Sequence, residues 1–107
     1  MKTRRLELDK KLREILQEET GQVNLYFQPP EGMKLTYPCI VYTKDTGDHM
    51  FADNKVYQFT QAYQLTYIDK NPDNTVVERI LKDFKWAKYG RSFKAENINH
   101  EIIILYY

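Results

Sequence analysis

A single cysteine, Cys39, cannot close an intramolecular disulfide, and with only two histidines, His49 and His100, the chain cannot assemble a Cys/His zinc site. Four glycines and four prolines supply no Gly/Ser linker and no low-complexity tract. With 107 residues there is material for one hydrophobic core, since a second would need roughly 100 more. Long hydrophobic runs are missing too. The longest, Ile102 to Tyr107, falls far short of the roughly 20 apolar residues that span a bilayer, and the N-terminal Met-Lys-Thr-Arg-Arg-Leu-Glu has no apolar signal core. The expected setting is a cytoplasm, with no membrane attachment. Sixteen Lys+Arg against 15 Asp+Glu leave a net charge of +1, without the basic excess that sequence-independent nucleic-acid binding normally uses. What the chain does have is aromatic surface: nine Tyr and five Phe bring the aromatic share to 14% although there is one Trp.

The apolar pattern predicts an α+β fold, a single mostly antiparallel sheet carrying two helices, in the order α-β-β-β-α-β-β. Leu8, Leu12, Ile15 and Leu16 recur at helical spacing, so a helix is expected from Arg4 to Glu19, with Glu7/Lys11 and Asp9/Arg13 paired on its outer side and Gly21 ending it. Strands are expected at Val23 to Gln28 and Cys39 to Thr43, then a loop from Lys44 to Lys55 without period. From Val56 to Asp69, Tyr57, Phe59, Tyr63, Leu65 and Tyr67 share one parity and Gln58, Thr60, Gln64 and Thr66 the other. That is a strand with one apolar and one uncharged polar face, long enough to require a bend near Gln61-Ala62. Thr75-Val-Val-Glu78 reads as a capping box opening a helix from Thr75 to Phe84. A short strand at Trp86 to Tyr89, an irregular stretch from Gly90 to His100 and a final strand from Glu101 to Tyr107 complete the reading. The last strand is apolar on both parities, so both its faces should be covered.

Catalytic chemistry finds no foothold. There is no glycine-rich phosphate loop and no nucleophile elbow. Asp45, Asp48 and Asp53 do not have the alternating spacing of a calcium loop, and His100 and Glu101, adjacent on a strand, point to opposite faces and cannot act together. Cys39 has no basic neighbour to hold a thiolate and reads as a buried structural residue. Base stacking on the sheet would need Lys or Arg among the aromatics, and Val56 to Asp69 carries neither.

Five segments in order, Asn24-Leu-Tyr-Phe-Gln-Pro-Pro30, Tyr37-Pro-Cys-Ile-Val-Tyr42, Phe51-Ala-Asp-Asn-Lys-Val-Tyr57, Tyr63-Gln-Leu-Thr-Tyr-Ile-Asp69 with Asn71-Pro-Asp73, and Asn97-Ile-Asn-His-Glu101, resemble the tail terminator proteins of tailed bacteriophages, which complete the tail and join it to the head. The likeness covers Asn24 to Tyr107. It implies an α+β subunit of a homo-oligomeric ring, a hexamer, placed at the head-proximal end of the tail tube. There the ring halts tube polymerisation and offers a surface to the head-completion or connector protein. It further implies a virion protein assembled in the host cytoplasm, with DNA passing through the lumen without specific binding, and with no catalytic residue, cofactor or metal. Tail-tube and connector-stopper subunits of similar fold are the nearest alternatives, and a small nucleic-acid-binding module a more distant one.

An interface role suits the tyrosines, whose rings are apolar and whose hydroxyls tolerate a wet rim. A monomer of this mass exposes on the order of 6,000 Å², and two ring contacts of about 800 Å² each cover about a quarter of that. The candidate interface residues are Tyr26, Tyr42, Tyr89, Tyr106 and Tyr107, together with Asp45, Asp48, His49, Met50, Phe51 and Asp53 of the long loop.

Overall fold

The computed structural model describes residues 4–45 and 61–107. The chain order is α1 (Arg4–Thr20), β1 (Leu25–Phe27), β2 (Cys39–Asp45), β3 (Ala62–Asp69), α2 (Val76–Asp83), β4 (Ala87–Ala95) and β5 (Ile98–Tyr106). The five strands form one sheet in the order β1-β2-β3-β5-β4, in which β1 runs parallel to β2 and every other neighbour is antiparallel. This is an α+β fold with the predicted element order.

Helix α1 buries Leu8, Leu12, Ile15 and Leu16, the stripe its spacing defined. It ends where Gly21, at φ 77°, donates to the carbonyls of Leu16 and Gln17, a left-handed cap that glycine adopts without strain. Helix α2 adds Val76, Val77 and Ile80. Both helices lie on the same side of the sheet, meeting Leu25, Ile40, Tyr42, Tyr63, Leu65, Tyr67, Ile103 and Leu105 in one core. Tyr63 and Tyr67 thus take the core side that alternation assigned them, while Tyr57 and Phe59 fall outside the described residues.

The predicted capping box is not formed. Thr75 makes no side-chain cap; its hydroxyl donates instead to Glu19 on α1, and the Asn74 side chain accepts from the Val77 amide at 3.2 Å. Arg79 ties the helices further, reaching Glu18 at 2.7 Å, Glu19 at 3.0 Å and Asp83 at 2.6 Å. The hydrogen bonds from Thr75 and Arg79 hold the Glu19 carboxyl below its ordinary pKa.

The larger departure concerns the stretch read as irregular from Gly90 to His100. It is most of a hairpin: β4 and β5 are nine residues each, joined by Glu96 and Asn97 at φ 53° and 64°. Two successive left-handed residues make the type I′ turn that matches strand twist. A bulge between Tyr89 and Arg91 lets β4 slip by one residue against β5. Gly90 sits there because a Cβ would come within 3.0 Å of the Ile102 carbonyl oxygen.

Tyr42 carries the main polar tie between sheet and helix. Its ring is fully buried, and its hydroxyl donates to Asp9 at 2.6 Å while accepting from Arg5 at 3.1 Å. Asp9 also accepts from Arg13 at 2.6 Å, as expected from their spacing. Glu7 and Lys11 turn to Tyr107, whose hydroxyl lies 3.4 Å from Glu7 and whose ring lies 5.2 Å from the Lys11 ammonium. Burial pushes the Asp9 carboxyl up, but the hydrogen bonds from Tyr42 and Arg13 and the charges of Arg13 and Arg5 outweigh it, leaving the pKa lowered. A carboxyl whose folded pKa is depressed stabilises the fold fully above its unfolded pKa of about 4, and that contribution is lost as pH falls through the folded value. The melting temperature of the wild type should therefore fall between pH 5 and 3 by more than that of Asp9→Asn. Equal slopes in a thermal melt series would contradict this.

Candidate interaction surface

Because both helices lie on one side of the sheet, the other side has no helix over it among the described residues. Strand register arranges that face in four rows. One runs Cys39, Ile68, His100, Phe93; the next Val41, Thr66, Ile102, Arg91; the third Thr43, Gln64, Ile104, Lys88. The fourth runs Asp45, Ala62, Tyr106 and, one register step beyond the ladder, Trp86, whose carbonyl accepts from the Tyr106 amide at 3.0 Å. Val41, Ile102, Ile104 and Tyr106 are half-buried, an apolar band in the middle of the open face. The final strand is sealed on its odd side, where Ile103 and Leu105 are fully buried; on its even side Ile102, Ile104 and Tyr106 are half-buried, with no helix over them among the described residues.

The candidate interface residues fall into different places. Tyr106 and Tyr26 lie on the open face, Tyr26 beside Val41 with its hydroxyl accepting from the Thr36 amide at 3.2 Å. Tyr89 is 44% exposed on the helix side of β4, its hydroxyl 3.3 Å from Glu101. Tyr42 is corrected: it shares parity with Ile40, faces α1 and has no accessible surface to give a partner. Tyr107 packs at the foot of the helices, edge-on to Phe84 with ring centroids 6.0 Å apart, and the Arg4 guanidinium lies 5.7 Å from its ring centre. Asp45 ends β2, its carbonyl accepting from the Gln61 side chain at 3.1 Å. Asp48, His49, Met50, Phe51 and Asp53 lie outside the described residues.

Nothing gathers into reactive chemistry among the described residues. Cys39 is fully buried, and its thiol is pushed up to about 12 by burial and by the charge of Asp69, which keeps it protonated. His100 stacks on Phe93 on the open face, while Glu101 points the other way and accepts from Asn74 at 2.6 Å. No group of three His, Cys, Asp or Glu side chains among the described residues is placed to hold a metal ion. A polar depression of about 340 Å³ between α1 and the β3–α2 loop is lined by Glu19, Asp69 and Asn74. Of its three acids, which include Asp73, two are engaged structurally: Asp69 accepts from Tyr67 at 2.7 Å and from the Asn71 amide at 3.1 Å, and Glu19 from Thr75 and Arg79.

The signal sequence reasoning missed is on β4. From Lys85 to Ala95 the chain carries Lys85, Lys88, Arg91 and Lys94 with no Asp or Glu, interleaved with Trp86, Tyr89 and Phe93. All three aromatics are exposed. No helix of the described residues is long and apolar enough to cross a membrane. No protein-family model, curated protein or solved structure matches the chain.

Proposed function

We propose that this chain is a ring-forming virion subunit of the tail terminator type, which closes the head-proximal end of a phage tail tube and joins it to the head. Its partners on this reading are further copies of itself, the tube protein and a head-completion or connector protein. The observation that carries the reading beyond the ordered segments is the sheet, whose helices among the described residues both lie on one face. A small domain that covers one face with two helices and leaves Val41, Ile102, Ile104 and Tyr106 half-buried on the other has a surface chemically suited to a neighbour. Among the described residues the long β4 strand is an edge, which adds unpaired backbone groups beside it.

Like charges argue against the simplest alternative assembly. Two β4 edges paired antiparallel would bring three cations against three. That disfavours a two-fold dimer through sheet extension and favours head-to-tail contacts, which close into rings or run on as filaments. Light scattering on the purified protein distinguishes these. A closed oligomer of fixed mass, near six copies of the 12.9 kDa chain, supports the terminator reading; a mass that grows with concentration indicates a tube-like subunit, and a persistent monomer removes the ring.

A further inference from the structure

We infer that the β4 margin of the open face is a binding site for single-stranded nucleic acid, with bases stacking on its aromatics and phosphates held by its cations. Gly90 decides which β4 side chains reach this face. Without the bulge, strict alternation from Lys88 would put Gly90, Ser92 and Lys94 on the open face and turn Arg91 and Phe93 toward the helices. The slip at Gly90 reverses this, so the four rows of the open face end in Trp86, just before β4, and in Lys88, Arg91 and Phe93 on it. Two aromatics and two cations thus stand along one edge of one face, in the order aromatic, cation, cation, aromatic.

The side chains are already disposed for stacking. Phe93 lies on the His100 ring with centroids 4.8 Å apart and planes 11° from parallel, and the Arg91 guanidinium sits 5.3 Å from the Phe93 ring centre. Phenyl, imidazole and guanidinium planes all stack with unpaired bases, so this cluster presents the chemistry that a single-stranded base uses. At the other end of the strand the Lys85 ammonium lies 5.4 Å from the Trp86 ring centre, a second pairing of cation and aromatic. Trp86 and Phe93 are 38% and 41% exposed. Charge selects the occupant. The Lys85 to Ala95 segment holds four of the chain's cations and no acid, so the near-neutral total conceals a basic margin on an otherwise acidic chain. Among the described residues the one acid on the open face is Asp45, in the Trp86 row but three strands away from β4; Glu101 lies on the helix side. An acidic protein surface would meet the cations equally well but would leave the exposed ring planes without a matching flat partner. A duplex keeps its bases stacked inside and cannot use them either. The contact is sequence-independent and lies at the β4 end of the rows whose middle, Ile102 and Ile104, the ring reading gives to a neighbouring subunit, so the two uses of this face compete.

Fluorescence anisotropy with a labelled oligothymidylate of about 15 nucleotides tests it, since such a strand spans the usual site of a small sheet. Binding should be micromolar at low salt and weaken as salt rises. Phe93→Ala should weaken it by about 5- to 100-fold, the loss expected for one stacked base. Lys88→Glu with Arg91→Glu should flatten the salt dependence. These side chains lie at the surface, so each variant should keep the wild-type circular dichroism spectrum and a cooperative melt, which confirms that it is folded when tested. Absence of binding, equal binding of the duplex of the same sequence, no loss with Phe93→Ala, or equal displacement by polyglutamate would each overturn the inference; the last would indicate an acidic protein partner.

Discussion

Tyr42→Ala should leave the protein largely unfolded at 37 °C, while Tyr42→Phe folds with a lowered melting temperature. The ring is fully buried between Phe27 and Tyr63, at centroid distances of 4.8 and 6.0 Å, and truncating such an aromatic costs about 3–5 kcal/mol. That is most of the margin of a small domain, which has about 5–15 kcal/mol in total. The hydroxyl contributes separately. It donates to a charged, mostly buried carboxylate, and such a bond is worth roughly 1.5–3 kcal/mol. The phenylalanine variant loses only this part, and Arg5 and Arg13 remain to satisfy Asp9. Chemical denaturation of the two variants checks the split. A Tyr42→Ala protein as stable as the wild type would show that the sheet-to-helix contact does not hold the core together.

Ile104→Glu should abolish the ring without unfolding the subunit. Ile104 is half-buried at the centre of the open face, between Gln64 and Lys88 in its row, so a glutamate there meets a neutral amide and a cation and the fold tolerates it. Buried against a neighbouring subunit it would be a charge stripped of water in an apolar contact, a loss of several kcal/mol per interface and therefore more than a hundredfold in affinity. Light scattering should report a monomer with an unchanged far-ultraviolet circular dichroism spectrum. An intact ring would place the contact elsewhere and exclude the open face as the subunit interface.

Much of the fold was legible from periodicity where a single face decides the pattern. Leu8, Leu12, Ile15 and Leu16 define α1 because a helix on a sheet buries one stripe, and Tyr63, Leu65 and Tyr67 define β3 because one side of the sheet is sealed. The β4–β5 hairpin was not legible for two local reasons. Its turn is Glu96-Asn97 and lacks the glycine that usually marks a type I′ turn, and the bulge at Gly90 breaks the period of two halfway along β4. The same bulge hid the basic and aromatic margin, since simple alternation scatters Trp86, Lys88, Arg91 and Phe93 over both faces. Thr75 was misread because a capping box describes only local hydrogen bonds, and Glu19, 56 positions earlier, competes for the hydroxyl. Tyr42 carried a usable signal, its shared parity with Ile40, but its partner Asp9 lies on a helix 33 positions away and no local pattern points to it.

Electron microscopy of the purified protein mixed with phage tail tubes tests the central claim most directly. Closed rings should decorate one end of each tube and stop further addition of tube subunits. Bare tube ends, with the protein monomeric or forming open-ended filaments of its own, would contradict it.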